Sequence, residues 1–116
     1  MSFIPINQDM DSVITELTLK TNELNEAYST LLDLDANYDR NFASALLTAK
    51  VTDKNKTQSE IASIATETAF IWLQELNKGK STHHRLINEI KVLYARLDVL
   101  KEKGYNLRRE YTDGRG

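Results

Sequence analysis

The chain has no cysteine, so disulfides, thiol nucleophiles and cysteine-based zinc or iron-sulfur sites are all excluded. A reducing compartment fits that composition. Proline occurs once, at Pro5, and glycine four times, at positions 79, 104, 114 and 116. That is too few for the turns of a many-stranded sandwich or barrel. No apolar run approaches the roughly 18 to 20 residues of a membrane span, and Met1 to Ile6 lacks the basic start and apolar stretch of a signal peptide. These absences predict a cytoplasmic protein with no membrane role. The sequon at Asn55-Lys56-Thr57 then has nothing to act on it.

What is present suits one ordered domain. The 116 residues are 41% hydrophobic and 28% charged, close to globular averages and too short for two cores. Charge is unevenly placed. Residues 1 to 48 hold eight acids against Lys20 and Arg40, a net charge of -6, whereas the remainder holds 13 basic and nine acidic residues, a net of +4. A whole-chain net charge of -2 therefore leaves room for a local basic surface, or for two helices of opposite charge that attract each other.

Steps of four and three from Met10 pass through Ile14, Leu17, Thr21, Leu24, Tyr28, Leu31, Asp35, Tyr38, Phe42 and Ala45, mostly apolar. That is the seam of a heptad, and it predicts a helix over about 9–49 with Val13, Ala27, Leu32, Leu34 and Leu46 widening the stripe. The polar stretch 50–58, with Lys50, Lys54 and Lys56, reads as a basic loop. Thr57-x-x-Glu60 supplies a capping box for a second helix over about 58–112. Its seam runs Ala62, Ala65, Ala69, Trp72, Leu76, Gly79, His83, Leu86, Ile90, Leu93, Leu97, Leu100, Gly104, Leu107 and Tyr111. Gly79 either breaks this helix, with Ser81 capping a third, or sits inside it at a cost of about 1 kcal/mol. The reading is a single all-α domain over 1–116: a long antiparallel two-helix hairpin, three helices if Gly79 breaks the second, ending in a short flexible tail.

A hairpin of that length buries one stripe per helix and leaves flanking leucines wet, which predicts a homo-oligomer or a partner helix. Leu17, Leu24, Leu31, Tyr38, Trp72, Leu86, Ile90, Leu93, Leu97 and Leu100 are the expected packing and oligomer seam. Thr21, Asp35, Gly79 and His83 are its expected polar or imperfect positions.

Catalytic motifs fail on inspection. Gly79-Lys80-Ser81 lacks the glycine a P-loop needs at Gln74, and no strand precedes it. Asp33-x-Asp35-x-Asn37 starts like a calcium loop, but Tyr38 stands where glycine is required and Ser44 where glutamate is. His83 and His84 are helix neighbours pointing about 100° apart and cannot grip one metal. No enzyme, metal or cofactor is expected.

One segment stands out near the C-terminus. Lys101, Tyr105 and Arg108 are helical neighbours, and Tyr105 also neighbours Arg109, which makes a basic stripe with an aromatic inside it. Cations that neutralise phosphates around a ring that stacks on a base are the chemistry of single-stranded nucleic-acid binding. A cationic helix end also complements the helix dipole and the acidic first half, so a purely structural reading stands beside it.

The segment Asp98 to Arg109 resembles the C-terminal signature of the phage UvsY-like recombination mediators, through Asp98, Lys101, Lys103, Gly104, Tyr105, Leu107 and Arg108. The resemblance covers about a dozen positions. It implies a non-catalytic oligomer that binds single-stranded DNA and helps load a RecA-type recombinase onto strands coated with single-strand-binding protein. On that reading Lys101, Lys103, Arg108 and Arg109 meet phosphates, Tyr105 stacks on a base or packs between subunits, and Gly104 permits close approach. Lys50, Lys54 and Lys56 form a second phosphate patch. The alternative is a helical coiled-coil scaffold, adaptor or small inhibitor with no nucleic-acid role.

Overall fold

The computed structural model describes residues 4–113. It contains three helices, α1 (Ile4–Thr52), α2 (Gln58–Thr68) and α3 (Phe70–Asp113), and no strand among the described residues. The protein is all-α, with α1 running antiparallel to the second helical arm. The expected tail beyond residue 113 and the Tyr111 side chain lie outside what is described.

α1 starts at Ile4, ahead of the expected 9, because Pro5 falls in the first turn, where its missing N–H leaves no hydrogen bond unmade. It ends at Thr52, so the connector is 53–57 and shorter than the expected 50–58. Lys50 is therefore in the last turn of the helix and not in a loop. Asp53 N–H donates to Ala49 O at 2.8 Å and Lys56 N–H to Asp53 O at 3.1 Å, closing the turn. Thr57 caps α2: its hydroxyl accepts from Glu60 N–H at 3.2 Å and donates to the Glu60 carboxylate, also at 3.2 Å.

The second arm is interrupted at Ala69 and passes through Gly79 as helix. Thr66 and Thr68 each turn their hydroxyl back onto the carbonyl four residues earlier, at 2.8 Å, a habit of β-branched hydroxyl residues that bends helices. Ala69 leaves helical geometry at φ −90°, ψ 5°. Its carbonyl accepts from both Trp72 and Leu73, at 3.0 and 3.1 Å, and α3 begins at once.

Packing divides into two units, to each of which both α1 and α3 contribute: one comprises the residues up to Asn25 and from Arg85 onward, the other Glu26–His84. In the first, Val13 and Leu17 of α1 and Leu93 and Leu97 of α3 form a buried cluster, with Met10, Ile90 and Leu100 packed against it. Each such side chain is worth about 1.5 to 3 kcal/mol when fully buried. Beside the cluster Lys20 Nζ meets Glu89 at 3.0 Å, and Arg85 holds the other carboxylate oxygen at 2.8 Å. In the second unit the buried residues are mostly small, among them Ala45, Ala49, Ala65 and Ala69 alongside Ile61 and Leu76. There Gly79 lies where a Cβ would come within 2.7 Å of Leu34 Cδ1. The Tyr28 ring sits 5.8 Å from His83.

The α1 seam differs from the predicted one at alternate positions as far as Asp35, beyond which Tyr38 and Phe42 are half-buried and Ala45 is buried, as predicted. Ile6, Met10, Val13, Leu17, Lys20, Leu24, Ala27, Leu31 and Leu34 turn inward, whereas Ile14 and Tyr28 are 46% and 53% exposed and Thr21 and Asp35 face solvent. Steps of three then four from Met10 fit as well as four then three. The chain takes the series that puts Val13 and Leu34 inside and accepts one charge, Lys20, which Glu89 neutralises. In the second arm, Ile61 is buried in place of Ala62, and Trp72 is 38% exposed. Leu86, Leu93 and Leu97 are buried, and Ile90, Leu100, Gly104 and Leu107 are half-buried.

Candidate nucleic-acid interface

The C-terminal basic segment is helical throughout, and Lys101, Lys103, Tyr105, Arg108 and Arg109 are all exposed. Leu100, Gly104 and Leu107 occupy the half-buried side of the same turns, and that burial fixes which way the others point. Lys101, Tyr105 and Arg108 follow one another at steps of four and three along one side, as the spacing requires. The Arg109 guanidinium lies over the Tyr105 ring, 5.9 Å from its centroid, a cation–π distance. Lys101 and Lys103 make no ion pair with any described residue.

Lys103 does not share this side. It is two residues, or about 200°, from Lys101. With Asp9, Val92, Ala95, Arg96, Val99 and Leu100 it lines an open groove of about 530 Å³ whose walls are mainly apolar. Gly104 is not a place of close approach within the chain. A Cβ built there would lie 3.8 Å from Ile6 Cγ2, an ordinary contact. The close approach belongs to Gly79.

The other three lysines fall in the second unit. Lys50 is exposed on α1, and Lys54 and Lys56 are exposed in the connector, where Lys56 Nζ is 4.0 Å from Asp53. The ion pair moderates Lys56, whereas Lys54 has no such partner among the described residues.

Two exposed residues of the same α3 side fall outside the motif. Tyr94 is 55% exposed, against 62% for Tyr105, and Lys91 is exposed one turn before it. Eleven residues separate the tyrosines, which at about 100° per residue returns Tyr94 to within about 20° of Tyr105. The signal was in the sequence as that spacing, but it lies outside the twelve-residue signature.

Among the described residues no group of three or more His, Asp or Glu is placed to hold a metal ion, and no helix is long and apolar enough to cross a membrane. No family model, curated protein or solved structure matches the chain.

Proposed function

We propose that the protein is a non-catalytic, single-stranded-DNA-binding recombination mediator that self-associates and helps load a RecA-type recombinase in the cytoplasm, the host's if the gene is a phage's. The observation that carries the reading is the exposed α3 side on which basic Lys101, Arg108 and Arg109 surround an exposed aromatic ring, Tyr105, the pairing that neutralises phosphates and stacks on a base. The resemblance of Asp98 to Arg109 to the UvsY-like signature supports the recombination context.

The test is fluorescence anisotropy of a labelled oligonucleotide, single-stranded and duplexed, at low and physiological salt. Single-strand affinity should fall with salt by about 0.7 logarithmic units per decade for each phosphate neutralised. Replacing Lys101, Arg108 and Arg109 with glutamine should reduce that slope by about 2 without changing helix content. No binding at low salt overturns the proposal. A second reading, a helical adaptor that takes a partner helix, is favoured by the apolar groove of Val92, Ala95 and Val99.

A further inference from the structure

We infer that the single-strand contact on α3 has two stacking platforms, Tyr94 as well as Tyr105, with Lys91 placed to hold the backbone beside the first as Lys101 and Arg108 do beside the second. The inference rests on the proposed single-strand binding and extends it toward the middle of α3. Lys91, Tyr94, Asp98, Lys101, Tyr105 and Arg108 follow one another at steps of three, four, three, four and three, so they hold one side of the helix for five turns. The buried residues Leu93 and Leu97 border this stripe along one edge, and all six of its own residues are exposed.

Both tyrosines are more than half exposed, although a tyrosine can bury 150 to 250 Å² when packed, and neither ring stacks on another aromatic ring among the described residues. Two exposed rings facing the same way across about 16 Å of helix match the spacing of about five nucleotides at a 3.4 Å rise, and fewer in a stretched strand. Asp98 lies between them, and a carboxylate there repels phosphate. Backbone contact therefore falls at the two ends of the stripe, beside Lys91 and around Tyr105, with the intervening nucleotides turning base edges toward Asp98.

The experiment is anisotropy with labelled oligothymidylates, using the full chain and helix content by circular dichroism as the control for folding. Tyr94→Ala should weaken binding about 5- to 150-fold, the loss of one stacked base, and Tyr94→Phe should stay close to wild type because the ring remains. Lys91→Gln should lower the salt slope by about 0.7. Oligonucleotides too short to reach both rings should lose the Tyr94→Ala effect while keeping that of Tyr105→Ala. If Tyr105→Ala weakens binding and Tyr94→Ala and Lys91→Gln do not, the second platform is overturned and single-strand binding stands. If wild type binds no single strand at low salt, both fall together.

Discussion

Two glycines on one helix illustrate how much a single position depends on what faces it. Gly104 and Gly79 both sit inside α3, where glycine is worse than alanine by about 1 kcal/mol because of the backbone freedom it loses. At Gly104 a methyl group meets Ile6 at 3.8 Å and fits. Gly104→Ala should therefore stabilise the protein by up to about 1 kcal/mol in urea unfolding followed by circular dichroism. At Gly79 the same methyl would press on Leu34 Cδ1 at 2.7 Å, and Leu31 Cδ1, at 3.6 Å, lies close by. Gly79→Ala should gain less than Gly104→Ala or lose stability outright. Equal gains at both sites would show that Leu34 moves aside freely. Glu89 is the other residue whose surroundings decide its behaviour. The Lys20 ammonium, and then the Arg85 guanidinium, hydrogen-bond its carboxylate and hold its pKa below the usual range, and Glu89 in turn raises that of Lys20. A lowered carboxyl pKa contributes stability that is present above the ordinary glutamate value of about 4.3 and is lost as pH falls through the lowered one. The difference in urea midpoint between wild type and Glu89→Gln should accordingly be present at neutral pH and vanish in acid. A difference that persists once the carboxyl is protonated in the folded protein as well would assign it to packing instead.

At the scale of elements, the start of α2 hangs on one side chain. Thr57 satisfies the Glu60 amide and gives its own hydroxyl hydrogen to the Glu60 carboxylate, so Thr57→Ala should cost about 1 kcal/mol in the same unfolding measurement, and Thr57→Ser much less. A loss no larger for alanine than for serine would mean that the connector holds α2 in place without the cap. The cap was legible because it depends on residues three apart. The helix class and the second-arm seam from Leu76 to Leu107 were legible for a related reason: leucine at fixed steps has only one register that buries it. Alternate positions of the α1 seam as far as Asp35 were not, because Ile14 and Val13, or Tyr28 and Ala27, are adjacent apolar pairs between which periodicity alone cannot choose. The partner helix chooses, through Leu93 and Leu97 around Val13 and Leu17 and through Glu89 at Lys20. Composition allows the second arm to break at Gly79 or to run through it as one helix; α3 runs through it, and the interruption falls instead at Ala69, just after the back-bonded threonines. In the candidate interface, the Lys101–Tyr105–Arg108 alignment follows from helical spacing. The separation of Lys103 onto the apolar groove follows from it too, once the seam side is known.

The whole molecule exposes large apolar side chains in both units: Leu19, Val92 and Val99 in one, and Leu47, Phe70 and Ile71 in the other, are all at least half exposed. Water contact at such side chains is unfavourable by about 25 cal/mol per Å², so covering them supplies the driving force for the proposed self-association. An associating protein gains stability by mass action, which makes its unfolding midpoint depend on its own concentration. The urea midpoint should therefore rise with protein concentration, and sedimentation should give a mass above 13.3 kDa that falls when Val92 and Val99 are both changed to glutamate. The double change adds two charges to exposed helix positions and leaves the Val13–Leu97 cluster intact, so helix content should survive it. A midpoint independent of concentration, with a monomer mass throughout, would assign these faces to a different protein and favour the adaptor reading over the mediator.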